Sequence, residues 1–149
     1  MPVVDNSRIR VLHLGSPTGL YGAERWILAL AGHLPADRVE SWIGAIRDAP
    51  DLEAPLCRVA AQMGFPTRVF TAYGRFSVAA IGQIRRFIRE KQISVVHTHG
   101  YKTDIIGYLA ARGTDCRTMA TPHGWRASPG MRLRSGAYES AATPFSLTV

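Results

Sequence analysis

Three short segments combine glycine or histidine with the end of a β-rich run, and their residue types could bind a ligand or do chemistry. They are residues 15–22, residues 97–100 (HTHG) and residues 121–124 (TPHG). Glycine lets the backbone approach a ligand, and the free N–H groups at the start of a following helix favour a phosphate. Imidazole can hydrogen-bond a sugar hydroxyl or stabilise charge near a phosphate. We therefore treat these segments as the candidate site.

His123 is the candidate catalytic residue. It follows a predicted strand and lies between Pro122, which restricts the backbone, and Gly124, which frees it. The structural alternative is a loop histidine with no role. Gly19 and Gly22 are the candidates for contact with a phosphate, and their alternative is a tight turn that needs glycine only for its φ angles.

Four further residues could contact a substrate, and each also has an ordinary structural explanation. Glu24, in the first turn of a predicted helix, could accept hydrogen bonds from sugar hydroxyls or simply complement the helix dipole. Tyr21 could stack on a ligand or be a half-buried loop aromatic. His99 should lie further out than His97, which we expect at the edge of the core. Lys102 could meet an anionic acceptor or be a solvated surface lysine.

A metal site is not expected. His97 and His99 form a His-x-His pair that could ligate zinc, but the sequence offers no third ligand of suitable spacing. His123 could converge on the pair in space. The sequence also contains no Gly-x-Ser-x-Gly elbow and no lysine placed as in a P-loop. Their absence argues against an α/β-hydrolase nucleophile and against a P-loop phosphotransferase.

The elements that must position these segments alternate between strand and helix. The strand candidates are residues 9–15, 39–46, 66–71, 93–97 and 116–121. The helix candidates are residues 23–34, residues 52–63 with Pro55 in the first turn, a third helix that follows Ser77 as N-cap, and residues 104–112. One side of the third helix should carry Val78, Ile81, Ile84 and Ile88. Another side should carry Arg85, Arg86 and Arg89.

The connections between the strand candidates are too long for hairpins, so the pattern predicts a parallel sheet covered by helices. The expected fold class is α/β, with a Rossmann-like, doubly wound parallel sheet of about five strands flanked by helices. Ligands of such sheets bind beyond the carboxyl ends of the strands. The first, fourth and fifth strands can be neighbours, and the three segments could then form one site.

Size and composition fit one compact domain. The chain has 149 residues, of which 46% are hydrophobic and 19% are charged, and its net charge is +7. These values exclude wholesale disorder and leave no room for two domains. A basic surface favours phosphates. However, the arginines are scattered through the sequence, and no run of basic residues with aromatic residues between them appears. Nucleic acid is therefore not an expected partner.

We expect a cytoplasmic protein. The first ten residues contain no apolar run, and no stretch approaches the roughly 20 apolar residues that span a bilayer. Cys57 and Cys116 match no metal-ligand or CxxC spacing, which favours a reduced compartment. The positive charge is compatible with peripheral contact at the inner face of an anionic membrane.

Together, the three segments resemble a known family. Residues 11–15 (VLHLG) and 19–24 (GLYGAE) are similar to the opening of the family-four retaining glycosyltransferases of the GT-B fold. Residues 95–102 (VVHTHGYK) resemble the fourth strand of that family and the turn after it. Residues 121–125 (TPHGW) resemble its fifth-strand motif. The segments occur in family order, and the resemblance covers residues 8–126.

The resemblance implies the N-terminal, acceptor-side domain of an enzyme with two Rossmann-like domains and an active site in the cleft between them. The C-terminal domain of such an enzyme binds a nucleotide-sugar, and the sugar passes to a saccharide or lipid-linked acceptor with retention and without a metal cofactor. By position, Gly19 and Gly22 match the loop that approaches the donor diphosphate, and His123 matches the histidine that contacts the transferred sugar. The candidates for acceptor binding are Tyr21, Glu24, His99 and Lys102.

The chain departs from the family pattern in two ways. Its glycine loop is longer than the compact Gly-Gly form of many members, and we do not expect these residues to include the donor-binding domain with its glutamate pair. We therefore assign residues 1–125 to the N-terminal Rossmann-like domain and residues 126–149 to an irregular tail. The isolated chain should be inactive unless another chain supplies the missing half.

Two other functions stay open. One is an NAD(P)-binding oxidoreductase module, because residues 15–22 loosely echo a dinucleotide-binding loop and Asp48 follows the second strand, where a ribose-binding acid could lie. The glycine spacing, however, fits neither usual fingerprint. The other is a non-catalytic module that binds carbohydrate or anionic lipid, with a basic helix face formed by Arg85, Arg86 and Arg89.

Overall fold

The computed structural model describes residues 8–15, 19–49, 53–72 and 77–123, and the predicted tail of residues 126–149 lies outside these ranges. Strands and helices alternate through the described chain. In order they are β1 (Ile9–Gly15), α1 (Gly22–His33), β2 (Val39–Arg47), α2 (Pro55–Gln62), β3 (Thr67–Thr71), α3 (Val78–Lys91), β4 (Val95–Thr98), α4 (Tyr101–Ala111) and β5 (Arg117–Ala120). The predicted α/β class is confirmed.

All five strands pair in parallel in one sheet with the order β3-β2-β1-β4-β5. The chain builds outward from β1 to β3 and then returns to place β4 and β5 on the other side of β1. The strand order thus reverses between β1 and β4, which is the topological switch point where ligands of such sheets bind. The prediction that the first, fourth and fifth strands are neighbours is confirmed.

The helix ends follow local sequence signals. The Ser77 hydroxyl accepts a hydrogen bond from the N–H of Ala80 at 3.3 Å, so the predicted N-cap of α3 is present. Pro55 occupies the first turn of α2, where its missing N–H costs nothing. Helix α4 begins at Tyr101, three residues before the predicted start, and Gly100 is its N-cap.

The core has two layers, one on each face of the sheet. On one face, strand residues such as Leu12, Leu14 and Val96 pack against α3 and α4. On the other face, Ile43 packs against Ile27 of α1 and the α2 residues. Strand side chains alternate between faces, so His13 lies on the α1 side of β1, between Leu12 and Leu14 on the α3 side. This alternation decides which side chains reach the candidate site.

Two expectations for α3 are corrected. The apolar side predicted for this helix is not buried along its whole length, because Val78 is 81% exposed. The buried stripe of the helix is Ala80, Ile84, Phe87 and Ile88. At 3.6 residues per turn, Val78 is rotated by about 200° from Ala80 and therefore points away from the sheet.

Arg85 does not belong to an open basic face. Its guanidinium donates hydrogen bonds to the carbonyl oxygens of Leu109 (2.7 Å) and Ala110 (3.2 Å) in α4. Arg86 lies 3.6 Å from Glu90 one turn on, which offsets part of its charge. The proposed lipid-binding face is thereby reduced, because one of its three arginines is committed to a neighbouring helix. Among the helices in the described ranges, none has the length and apolar character required to cross a membrane.

Candidate active site at the carboxyl ends of strands β1, β4 and β5

Four histidines meet at the topological switch point, and we call them the histidine cluster: His13, His97, His99 and His123. His13 and His97 are paired residues in the register of β1 and β4, so they lie side by side on the same face of the sheet. His99 follows β4, and His123 follows β5. The ring centroids are 5.4 Å apart for His13 and His97, 4.1 Å for His97 and His99, and 5.3 Å for His99 and His123. Two of the three predicted segments therefore converge here.

Hydrogen bonds fix the outer members of the cluster. Nδ1 of His99 lies 3.1 Å from Nε2 of His123, so one of these nitrogens carries the shared proton. Nε2 of His97 lies 2.7 Å from the hydroxyl of Thr121. The backbone N–H of His99 donates to the hydroxyl of Thr103 at 3.3 Å. The ends of β4, β5 and the start of α4 are thus tied together around His99.

The centre of the cluster is buried and electrically neutral. Burial lowers the pKa of His13 and of His97 to about 4, with a smaller contribution from a neighbouring histidine in each case. Burial, and then the three other histidines, lower the pKa of His99 to about 2. All three imidazoles are therefore unprotonated at neutral pH, and each offers one N–H donor and one lone pair.

His99 is buried almost as deeply as His97, although it was expected to lie further out. His99 is 6% exposed and His97 is 3% exposed, so both are buried. The reason is Trp26 of α1, whose indole contacts the rings of His97, His99 and His123 at centroid distances of 6.0, 5.4 and 5.2 Å. Trp26 is itself 41% exposed, and it forms the wall of the cluster nearest the surface.

Glu24 caps the N-terminal end of α1. Its carboxylate accepts a hydrogen bond from the backbone N–H of Tyr21 at 3.1 Å, which satisfies one of the free donors at the start of the helix. The residue is only 4% exposed. Helix capping, the structural explanation for Glu24, is therefore present, and contact with an acceptor stays a prediction.

Tyr21 is exposed, and the half-buried alternative is wrong. The residue is 68% exposed, and its ring lies over Gly19, where an added Cβ would be 2.6 Å from Cε2 of the tyrosine. Gly22 begins α1, and a Cβ there would meet no atom within 4 Å among the described residues. Close packing thus does not explain glycine at position 22. Contact of Gly19 and Gly22 with a phosphate stays a prediction, and residues 16–18 lie outside the described ranges.

Lys102 forms an ion pair with Asp48, which joins the start of α4 to the residue after β2. Lys102 was a candidate to bind an anionic acceptor, and Asp48 was a candidate to bind the ribose of a dinucleotide. Both side chains keep some exposure. Because Lys102 already holds the carboxylate of Asp48, the arrangement gives no support to a ribose-binding acid.

Sequence reasoning missed His13 and Trp26. His13 was included in a strand and Trp26 in a helix, and neither was considered for the site. The sequence did contain a signal for His13. The first and fourth strands were predicted to be possible neighbours, and each has a histidine within a run of apolar residues. Trp26 carried no such signal, since its contact with the cluster depends on how α1 packs across the sheet.

Comparisons with known proteins bear on the family and the fold of this chain. The model of a family described as Glycosyltransferase Family 4 matches residues 21–147. The match extends past residue 126, where the resemblance noted from the motifs ends, and covers most of the segment assigned to a tail.

Two curated relatives are N-acetylglucosamine transferases of Clavibacter sepedonicus and Clavibacter michiganensis. Both are named UDP-N-acetylglucosamine--N-acetylmuramyl-(pentapeptide) pyrophosphoryl-undecaprenol N-acetylglucosamine transferase. Each is 34% identical to this chain over 134 residues, which cover 83% of the chain and 36% of the relative. The chain therefore spans about a third of the length of the curated relatives it matches.

Solved structures with the same fold include the Anabaena HepE protein in complex with UDP, with a TM-score of 0.69 and 18% identity over 93% of this chain and 36% of HepE. A glycosyltransferase from Rickettsia africae gives a TM-score of 0.64 and 15% identity, over 85% of this chain and 33% of that protein. MurG from Acinetobacter baumannii gives 0.61 and 16%, over 85% of this chain and 39% of MurG. At these identities the similarity concerns the fold.

Proposed function

This chain belongs to glycosyltransferase family 4, and on that premise we propose that it forms the acceptor-side half of a sugar-transferring enzyme. The reaction would move a sugar from a nucleotide-sugar to a saccharide or lipid-linked acceptor with retention at the anomeric carbon. The observation that carries the proposal is the meeting of His99 and His123 at the switch point between β1 and β4, 3.1 Å apart. Ligands of parallel sheets bind at this edge.

His123 would contact the transferred sugar. Either nitrogen can donate in the hydrogen bond between His99 and His123, and we propose the tautomer in which Nδ1–H of His99 donates to Nε2 of His123. In that tautomer, Nδ1 of His123 carries a proton and can donate it in a hydrogen bond to a sugar hydroxyl. His99 therefore acts as a positioning residue for His123, and it is well suited to this role because burial keeps it neutral.

The donor and acceptor classes follow from the relatives. The Clavibacter enzymes are named for UDP-N-acetylglucosamine and for an undecaprenol-linked acceptor, and HepE was solved with UDP. We extend the same classes to this chain: a uridine nucleotide-sugar as donor and a lipid-linked saccharide as acceptor. Gly19 and Gly22 would approach the donor diphosphate, and transfer itself would need no metal, as the family resemblance implies. The donor-binding half would come from a polypeptide segment or partner beyond these residues.

A lipid-linked acceptor would bring the protein to a membrane surface. The net charge of +7 favours peripheral contact with anionic lipid. Arg86 and Arg89 remain on the exposed side of α3, whereas Arg85 is held by α4. Membrane contact is therefore proposed as an accompaniment of transfer and not as the function of the chain.

The test is a two-domain protein in which this chain is joined to the donor-binding half of a family member. Transfer of labelled sugar from a UDP-sugar to a lipid-linked acceptor should be measurable in this protein and absent in the isolated chain. His123→Ala should lower kcat by about 100-fold or more, the size of effect expected when one preorganised hydrogen-bond donor is removed from an active site. Folding, followed by circular dichroism, should be unchanged.

His33→Ala is the matched control, because His33 is an exposed histidine at the end of α1 and lies outside the cluster. It should keep wild-type turnover. Wild-type turnover in His123→Ala would remove His123 from the reaction. Transfer by the isolated chain would show that the donor-binding half is not required.

A further inference from the structure

Three histidines of the cluster are arranged as the ligands of one metal ion would be. His13, His97 and His99 each offer one ring nitrogen, and these nitrogens all lie within 4.8 Å of one another. All three residues are buried. His13 and His97 come from two adjacent hydrogen-bonded strands, and His99 directly follows the second of them.

Unpaired nitrogens are a second, independent observation that points to a ligand. Both ring nitrogens of His13 and Nε2 of His99 are buried and have no hydrogen-bond partner among the described residues. Buried polar atoms without partners are costly, and in native proteins they commonly indicate a bound water or ion. His13 is 1% exposed, and nothing in the proposed sugar transfer uses it.

The ring separations fit a common ion. Imidazoles that bind zinc at about 2.0–2.1 Å in a tetrahedral arrangement have ring centroids about 5 Å apart and ligand nitrogens roughly 3.4 Å apart. The observed centroid separations are 5.4 Å for His13 and His97, 6.1 Å for His13 and His99, and 4.1 Å for His97 and His99. Shifts of about an ångström at each ring would bring the nitrogens into a zinc coordination sphere.

The outer contacts of His97 and His99 suit metal ligands. A ligating histidine usually donates its other ring N–H to a neighbouring acceptor, which fixes its tautomer. Nδ1 of His99 contacts His123, so the unpaired Nε2 is the nitrogen available for the metal. Nε2 of His97 contacts the hydroxyl of Thr121, which leaves Nδ1 to ligate. A neutral imidazole has one lone pair, which it can present to the ion.

We propose that His13, His97 and His99 bind one transition-metal cation of the zinc class, with the fourth position open to water. Three imidazoles without a thiolate favour Zn²⁺, Cu²⁺ or Ni²⁺ over Mg²⁺ or Ca²⁺. This site goes beyond the proposed transfer, for which the family resemblance implies no metal. A cation on Nε2 of His99 would also fix the proton on Nδ1 and hence the orientation of His123.

The test uses the full 149-residue chain. After treatment with a chelator, the chain is titrated with Zn²⁺ in competition with a chromophoric chelator, and one equivalent should bind. His13→Gln and His99→Gln should each weaken the affinity for Zn²⁺ by at least about tenfold, as expected when a group that holds the ion is lost. His33→Gln, the exposed histidine outside the cluster, should leave the affinity unchanged.

A buried histidine can be needed for folding, so a measurement on the wild type accompanies the variants. X-ray absorption at the zinc edge of the loaded wild-type chain should show three imidazole nitrogens and no sulfur. The proposal is overturned by absent binding, by unchanged affinity in both His13→Gln and His99→Gln, by a loss in His33→Gln, or by a thiolate in the coordination sphere. Because the readout is metal binding, failure of the transferase proposal would leave this result unaffected.

Discussion

The side chain of Arg85 in α3 forms hydrogen bonds with α4. Its guanidinium donates to the carbonyl oxygens of Leu109 and Ala110, which belong to the last turn of α4. Carbonyls in a last turn have no intrahelical partner, and a cation there also complements the helix dipole. The arginine-rich side of α3 thus contains one structural arginine beside two exposed ones.

We expect Arg85→Ala to lower the free energy of unfolding by about 1.5–3 kcal/mol, the range for hydrogen bonds to a charged group. Arg86→Ala is the matched control, because its exposed pair with Glu90 should contribute less than about 0.5 kcal/mol. Urea titrations of both variants compare the two values. Equal losses would show that the contacts of Arg85 with α4 do not stabilise the fold.

At the scale of elements, α4 approaches the sheet closely at Gly107. A Cβ at this position would lie 2.7 Å from Cγ2 of Thr98 and 3.2 Å from Cγ1 of Val96. Both of these side chains are β-branched and buried in β4, so they have little freedom to move aside. The close approach matters for the site because β4 and the turn after it carry His97 and His99.

Gly107→Ala should therefore destabilise the chain. Overpacking costs about 1–3 kcal/mol, and alanine recovers up to about 1 kcal/mol through its higher helix propensity. Gly82→Ala in α3 has the same propensity gain, and an added Cβ meets no atom within 4 Å in the described structure. It should raise the free energy of unfolding by up to about 1 kcal/mol. If both variants change stability in the same direction, the packing argument for Gly107 fails.

For the whole molecule, the neutral histidine cluster couples folding to pH. In the unfolded chain the pKa of a histidine is about 6.5, whereas in the folded chain burial lowers the pKa of His13 and His97 to about 4 and that of His99 to about 2. The unfolded state thus binds more protons between these values. The stabilisation is complete above pH 6.5 and is lost as the pH falls towards the folded pKa values.

Between pH 6.5 and pH 5, above the range in which most carboxylates titrate, each histidine should lower the free energy of unfolding by up to about 1.4 kcal/mol per pH unit. Urea unfolding in the presence of a chelator, at several pH values, measures the slope. His97→Gln should make the slope shallower. A free energy of unfolding that stays constant from pH 7 to pH 5 would contradict the burial of neutral imidazoles.

Much of the fold and part of the site could be predicted because they depend on local patterns. Apolar runs such as residues 9–15, together with caps such as Ser77, indicate where strands and helices lie, and the long connections require parallel pairing. The neighbouring positions of the first, fourth and fifth strands follow from the doubly wound topology. His123 and His99 were found because they stand at strand ends beside glycine.

The sequence by itself determined the α/β class, the order of elements and the family motifs, because these features depend on the types and spacing of residues close together in the chain. Only the tertiary structure decided the partners of those residues. The register of β1 against β4 set His13 beside His97, and the packing of α1 placed Trp26 over the rings and buried His99. Arg85 and Lys102 found partners on other elements for the same reason. Contacts between residues far apart in the chain depend on register and helix packing, which no local pattern specifies.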